Sequence, residues 1–171
     1  KSTGGVAGVT AEQVRALAEE YEGLNAVIDD KVIQSGENLL LTFTNIRKEA
    51  FEPALEAALD LSVAMKQDLN TSVLQLGKAL NDPIRGLTAL RRVGVQFTKS
   101  QEDQIKALVE TGDLLGAQEI IIKELGVQFG GRFAAQGKTA RGTIAGIGDA
   151  VEDLQKSLAT GIIDAVDKGA R

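Results

Sequence analysis

The feature that most restricts this chain is its helix punctuation. Through the first 130 residues, helix-capping residues recur at short intervals, and between them apolar side chains fall three and four apart, the spacing of one helical face. No stretch alternates apolar and polar residues as a half-buried strand would. Thr10 and Gln13 form a capping-box pair ahead of Val14, Leu17, Ala18 and Tyr21, so a helix starts near Ala11. Beyond Gly23 the pattern predicts a second helix over residues 24–34, a break at Ser35-Gly36 and a third helix over 37–48. Residues 49–66 place Phe51, Leu55, Ala58, Leu59 and Ala64 inward and Glu49, Glu52, Glu56 and Asp60 along an opposing stripe, with Pro53 expected in the first turn.

Leu69, Val73, Leu76 and Leu80 continue the pattern until Asn81-Asp82-Pro83, where Asp82 is placed to cap and Pro83 to open the next helix. That helix carries Ile84, Leu87 and Leu90 and ends at Gly94. Thr98 and Gln101 repeat the capping box ahead of Ile105, Leu108 and Val109. Thr111-Gly112-Asp113 is short enough to fold the helix over 114–125 back on its predecessor as an αα-hairpin. The expected core comprises Leu76, Leu80, Leu87, Leu90, Ile105, Leu108, Ile121 and Leu125. Past Gly126 the composition turns to Gly, Ala and Thr, yet Ile144, Ile147, Val151, Leu154 and Leu158 form a heptad-like seam, suited either to a coiled coil or to docking on the chain's own domain.

The predicted fold is therefore all-α: a compact multi-helix bundle of short helices and αα-hairpins with a glycine-rich C-terminal amphipathic helix. Its expected parts are a flexible N-terminal segment (1–9), a helical domain (10–129), a glycine-rich connector (130–142) and an amphipathic helix (143–171), extended or in a coiled coil. With 171 residues, 43% of them hydrophobic, the chain is able to bury a core. The start at Lys1 reads as that of a piece of a longer protein or a processed product. No aliphatic run is long enough for a secretory signal or a membrane span, so this segment is expected to be soluble.

Absent residue types narrow the chemistry. The chain has neither Cys nor His, which removes disulfides, thiolate nucleophiles, His-assisted triads and metal sites built on imidazole or sulfur. Gly137-Lys138-Thr139 resembles the end of a phosphate-binding loop, but Arg132 stands where that motif needs glycine and Gly131 lies one residue off. The stripe from Glu49 to Asp60 reads as a solvated acidic face rather than a cation site. The helix-turn-helix between Leu87 and Val109 carries Glu102 and Asp103 where contacts to nucleic acid need neutral or basic groups, so no sequence-specific nucleic-acid binding is expected. Arg91 and Arg92 complement the carbonyl end of their helix. These readings predict no catalytic, cofactor-binding or metal residue, no cofactor and no enzyme.

Residues 76–125, from LGKALNDPIRGL to LLGAQEIIIKEL, resemble the helical region of phage and prophage tail length tape measure proteins. LLLTFTNI at 39–46 and FEPALEAALDLSVAM at 51–65 extend the resemblance, which covers residues 37–130. The family implies a long, largely helical protein that threads the lumen of the growing tail tube, sets its length and leaves ahead of DNA at infection. It implies tail tube and tail assembly proteins as partners, with residence in the bacterial cytoplasm during assembly and then in the tail lumen of the virion. Self-association through Ile144, Ile147, Val151, Leu154 and Leu158 would add a partner read from the residues themselves. The alternative from another class is a free-standing helical interaction or assembly-adaptor domain docking through the same seam.

Overall fold

The computed structural model describes residues 9–25 and 28–169, with 153–155 and 157–169 described by backbone alone. The molecule is all-helical and forms a multi-helix bundle. The described residues contain α1 (Ala11–Leu24), α2 (Asp30–Leu40), α3 (Lys48–Met65), α4 (Leu69–Asn81), α5 (Pro83–Arg92), α6 (Lys99–Glu110), α7 (Leu114–Phe129) and α8 (Arg132–Gly169). Residues 1–8 of the expected flexible N-terminus lie outside them.

α3 is the central helix. It packs on α4 along one side and α7 along another, and α8 crosses it near the C-terminal end of its buried face. α1 and α2 form a hairpin laid on the bundle through α2 against α4. α6 and α7 form the predicted hairpin across the Thr111-Gly112-Asp113 turn, where Gly112 takes φ +83° and Asp113 accepts the Gly116 N–H at 2.9 Å. Both predicted capping boxes form, Thr10 with Gln13 and Thr98 with Gln101. Asp82 accepts the Arg85 N–H at 3.2 Å, with Pro83 at the start of α5.

The expected core is buried at Leu76, Leu80, Leu87, Leu90, Ile105, Ile121 and Leu125, while Leu108 is half-buried against it. Each fully buried Leu or Ile contributes about 1.5–3 kcal/mol of transfer free energy. α3 adds more buried apolar residues than any other described helix, with Ala50, Phe51, Ala54, Leu55, Ala58, Leu59 and Leu61 at 2% exposure or less. Its alanines keep the helix slim enough for α4 and α7 to lie close on either side.

The structure corrects the sequence reading between α1 and α3. α1 continues through Gly23, the second helix starts at Asp30 rather than residue 24, and it runs through Ser35-Gly36 to Leu40. No helix spans 37–48. Gly36 is a packing residue rather than a breaker: a Cβ there would lie 2.9 Å from Leu69 Cδ2, so its absence lets α2 sit against α4. Asp29 supplies the actual start signal, accepting the Lys31 N–H at 2.8 Å. Residues 41–47 form an irregular connection pinned by the buried Ile46 and by Gln118 of α7, whose amide donates to the carbonyls of Asn45 (2.8 Å) and Leu80 (3.0 Å). Pro53 falls in the second turn of α3 rather than the first, on its exposed side.

The expected connector at 130–142 is also corrected. Only Gly130 and Gly131 lie between helices, since α7 extends to Phe129 and α8 begins at Arg132. The amphipathic helix is accordingly 38 residues long.

Two glycines separate the packing role from the entropic one. At Gly86 an added Cβ would stand 2.2 Å from the Ala79 Cα, a backbone atom held within α4. At Gly126, inside α7, nothing lies within 4 Å. Gly86→Ala is expected to destabilise by about 1–3 kcal/mol through overpacking, and Gly126→Ala to stabilise by about 0.5–1 kcal/mol. Urea unfolding midpoints compared at constant slope check both signs.

Candidate functional site

The part of the molecule least explained by its own packing is α8. The Gly130-Gly131 junction offers no side chain to cap a helix N-terminus, and Gly131 takes φ +78° to turn the chain. The cap comes instead from α3. Asp60 accepts the Gly131 N–H at 3.0 Å and the Phe133 N–H at 2.8 Å, placing a carboxylate at the positive end of the α8 dipole. Asp60 is 4% exposed, so the predicted solvated acidic stripe holds only for Glu49, Glu52 and Glu56. One turn along α3, Glu56 is raised above its ordinary value by burial first, then by Asp60 and Glu52.

The next turns of α8 are fixed to the end of α1. Phe133 is buried with its ring edge-on to Tyr21, centroids 6.2 Å apart, and burial is the main cause holding the Tyr21 phenol well above its ordinary range. Asn25 is fully buried and donates from Nδ2 to the Phe133 carbonyl and to Gln136 Oε1, both at 3.0 Å. A Cβ at Gly137 would lie 2.1 Å from the Leu24 carbonyl oxygen, so glycine is the residue that lets α8 cross the end of α1. Arg141 donates to the Gly23 carbonyl just beyond.

After Arg141 the helix has no neighbour among the described residues. Residues 141–152 are exposed on every side, and Ile144, Ile147 and Val151 present large apolar side chains at 63%, 59% and 48% exposure. Of the predicted seam these three are described, and they share one face of α8. Leu154 and Leu158 have side chains outside the described residues. The charged groups of this stretch keep off that face, with Glu152 and Lys156 paired to each other at 2.8 Å.

The other motifs are absorbed by the fold. Gly137-Lys138-Thr139 lies within α8, where its backbone N–H groups belong to the helix instead of a phosphate cradle. Arg91 at the end of α5 pairs with Glu102 in the first turn of α6, which gives both residues of the helix-turn-helix a structural partner. No group of three or more acidic residues is placed to hold a metal among the described residues. A groove of about 260 Å³ between α1 and α3 is lined by Gln13, Leu17, Glu20, Lys48 and Glu52 and opens to solvent. No helix among the described residues is long and apolar enough to cross a membrane.

Sequence reasoning missed Asp60, Asn25 and Gln118 as buried polar anchors. Asp60 carried the one available signal: it directly follows Ala57, Ala58 and Leu59, all buried, and so stands on the edge of the apolar face. No family model, curated protein or solved structure matches the chain.

The α8 joint is expected to weaken when its cap is removed. Asp60→Ala leaves the buried Phe133 N–H and the partly buried Gly131 N–H without their acceptor and should cost about 1–3 kcal/mol, with loss of amide protection concentrated at residues 131–136. Asp60→Asn, which retains one acceptor oxygen, should lose less. Equal losses in the two variants, or losses spread evenly over the bundle, would contradict the capping role.

Proposed function

We propose that this chain is a structural, non-enzymatic segment of a phage tail tape measure protein, and that its last helix joins copies of the segment to one another. The reading is carried by α8, a helix rooted in the bundle over its first three turns and then exposed on all sides with an apolar seam. Such a helix suits a role in assembly more than one in binding a small molecule. Support comes also from the ordered resemblance over residues 37–130 and from the way the carboxylates divide between solvent and the α8 cap.

The energetics of residues 141–152 favour a partner. Gly142, Gly146 and Gly148 each cost an exposed helix about 1 kcal/mol relative to alanine, and no packing within the described residues offsets that. A second copy fits the seam. Reading Ile144 and Val151 as a positions and Ile147 as d leaves Gly148 and Ala150 at the flanking positions, small and uncharged, so identical helices meet without like-charge repulsion. Asp149 and Glu152 fall on the outer positions. In parallel coiled coils β-branched a positions with Leu at d suit two strands, and Ile at d, as at Ile147, admits further copies.

Two measurements test the reading. Because the chain has no cysteine, Val151→Cys introduces a single thiol, and a parallel in-register pair is expected to form a disulfide between identical positions under mild oxidation. Asp149→Cys, on the outer face, should remain largely monomeric on the same gel. Crosslinking of both alike would remove the seam as the contact. For the tape measure role, the parent gene is deleted in frame for these residues and tail length is read by electron microscopy. A fully extended segment predicts tails shorter by about 250 Å at about 1.5 Å per residue, whereas a retained bundle with α8 alone as the spacer predicts roughly 57 Å. Unchanged tail length together with normal infectivity would end the tape measure reading.

A further inference from the structure

Glu37 lies inside α2 on the same face as Ile33 and Leu40, and all three are 0% exposed. Neither carboxyl oxygen has a hydrogen-bond partner, although a buried carboxylate needs several. Its neighbours leave it little freedom. On one side Gly36 is pressed against Leu69 and Val73 of α4, and on the other Gln34 and Asn38 line the groove facing α1. An ionised carboxylate in this position has no compensating charge, so the seated hairpin holds Glu37 as the neutral acid.

We propose that the α1–α2 hairpin is a proton-operated latch: it rests on α4 only while Glu37 carries its proton, and leaving the bundle releases that proton to solvent. The inference does not depend on the tape measure reading. It assigns a role to a group that packing alone would replace with leucine.

The surrounding charges do not compete with it. Arg15 of α1 lines the groove beside Gln34 and Asn38, and the other charges of α1, Glu12, Glu19, Glu20 and Glu22, are exposed; Lys78 is the one charged residue within α4, with Asp68 capping its start; α3 brings Lys48, Glu49, Glu52, Glu56 and the α8-capping Asp60. On α2 itself Asp30, half-buried, and Lys31, exposed, lie in the first turn. None of these acts appreciably on Glu37, whose carboxyl is pushed up from 4.5 to about 8 by burial alone. The sign follows from linkage. The seated state binds one proton more than the open state between those two values, so opening becomes easier as pH rises through that window and levels off above about 8.

Native-state hydrogen exchange on the intact chain between pH 6 and 9, corrected for intrinsic exchange, tests the latch. The opening equilibrium of α2 amides is expected to rise about tenfold per pH unit up to about 8, the slope of one released proton, and then to flatten. Amides of α7 should show no such slope. Glu37→Gln, and Glu37→Leu should the amide variant fail to fold, are expected to abolish the slope in α2. The latch is overturned by a flat α2 profile in the unsubstituted chain, by an unchanged slope in the variants, or by the same slope in α7, which would mean that the whole bundle opens together.

Discussion

The burial of α3 is the constraint on which the rest depends. From Ala50 to Ser62 all but three of its residues are buried, so it has almost no face left for water, and its neighbours must cover it on every side but the stripe of Glu52, Pro53 and Glu56. A helix in this position needs small residues at its contacts, because side-chain volume sets how near the next axis lies. Ala54, Ala57 and Ala58 meet that need. The price is at the boundary of the covered zone, where Asp60 would be a stranded carboxylate without the free N–H groups at the start of α8. The same contact that satisfies Asp60 positions α8, so the direction of the free seam is set by the central helix.

Polar side chains holding irregular backbone form a second layer of constraint. Gln118 fixes the connection before α3, Asn25 joins the end of α1 to α8, and Gln128 brackets Gln96 by accepting from its N–H at 3.1 Å and donating to its carbonyl. Each sits on a helix or at its end and reaches a backbone segment distant in sequence. Asn25 and Gln118 are buried, and buried amides of this kind rigidify a bundle when every member is satisfied and weaken it when one is lost. Glu37 is the exception, a buried polar group that nothing answers, and it lies in the α1–α2 hairpin.

The all-helical class, most helix starts from α3 onward and most of the core were legible because capping and periodicity are local signals. Thr10, Asp82, Thr98 and Asp113 act within three residues of themselves, so reading the neighbouring sequence suffices. Glycine was misread for the converse reason. At Gly36 and Gly137 its cause lies in another helix, Leu69 in one case and the Leu24 carbonyl in the other, and no local pattern distinguishes a glycine that ends a helix from one that lets two helices touch. Asp60 was misassigned in the same way: it sits on the acidic stripe by spacing, and its partner is more than seventy residues away. The seam at Ile144, Ile147 and Val151 was legible as a pattern, but its exposure rests on where α8 leaves the bundle.

On the proposed reading, the fold bears on how a tape would convert residues into length. A single helix with its side chains is about 10–12 Å across, and a bundle three helices wide is on the order of 30 Å. Folded back on itself, the segment from α1 to α7 contributes the height of the bundle, not the sum of its helices. Extending it means exposing the α3 core, and a domain of this size is stable by only about 5–15 kcal/mol, an amount that favourable contacts along a narrow lumen are able to offset. The bundle and the rod are then two states whose balance is set by confinement, since a wall that contacts one state better shifts the population toward it. On that reading α8 would stand outside the balance if it stays helical and extended in both states, its rise then being the fixed part of the ruler and the bundle the part that is let out.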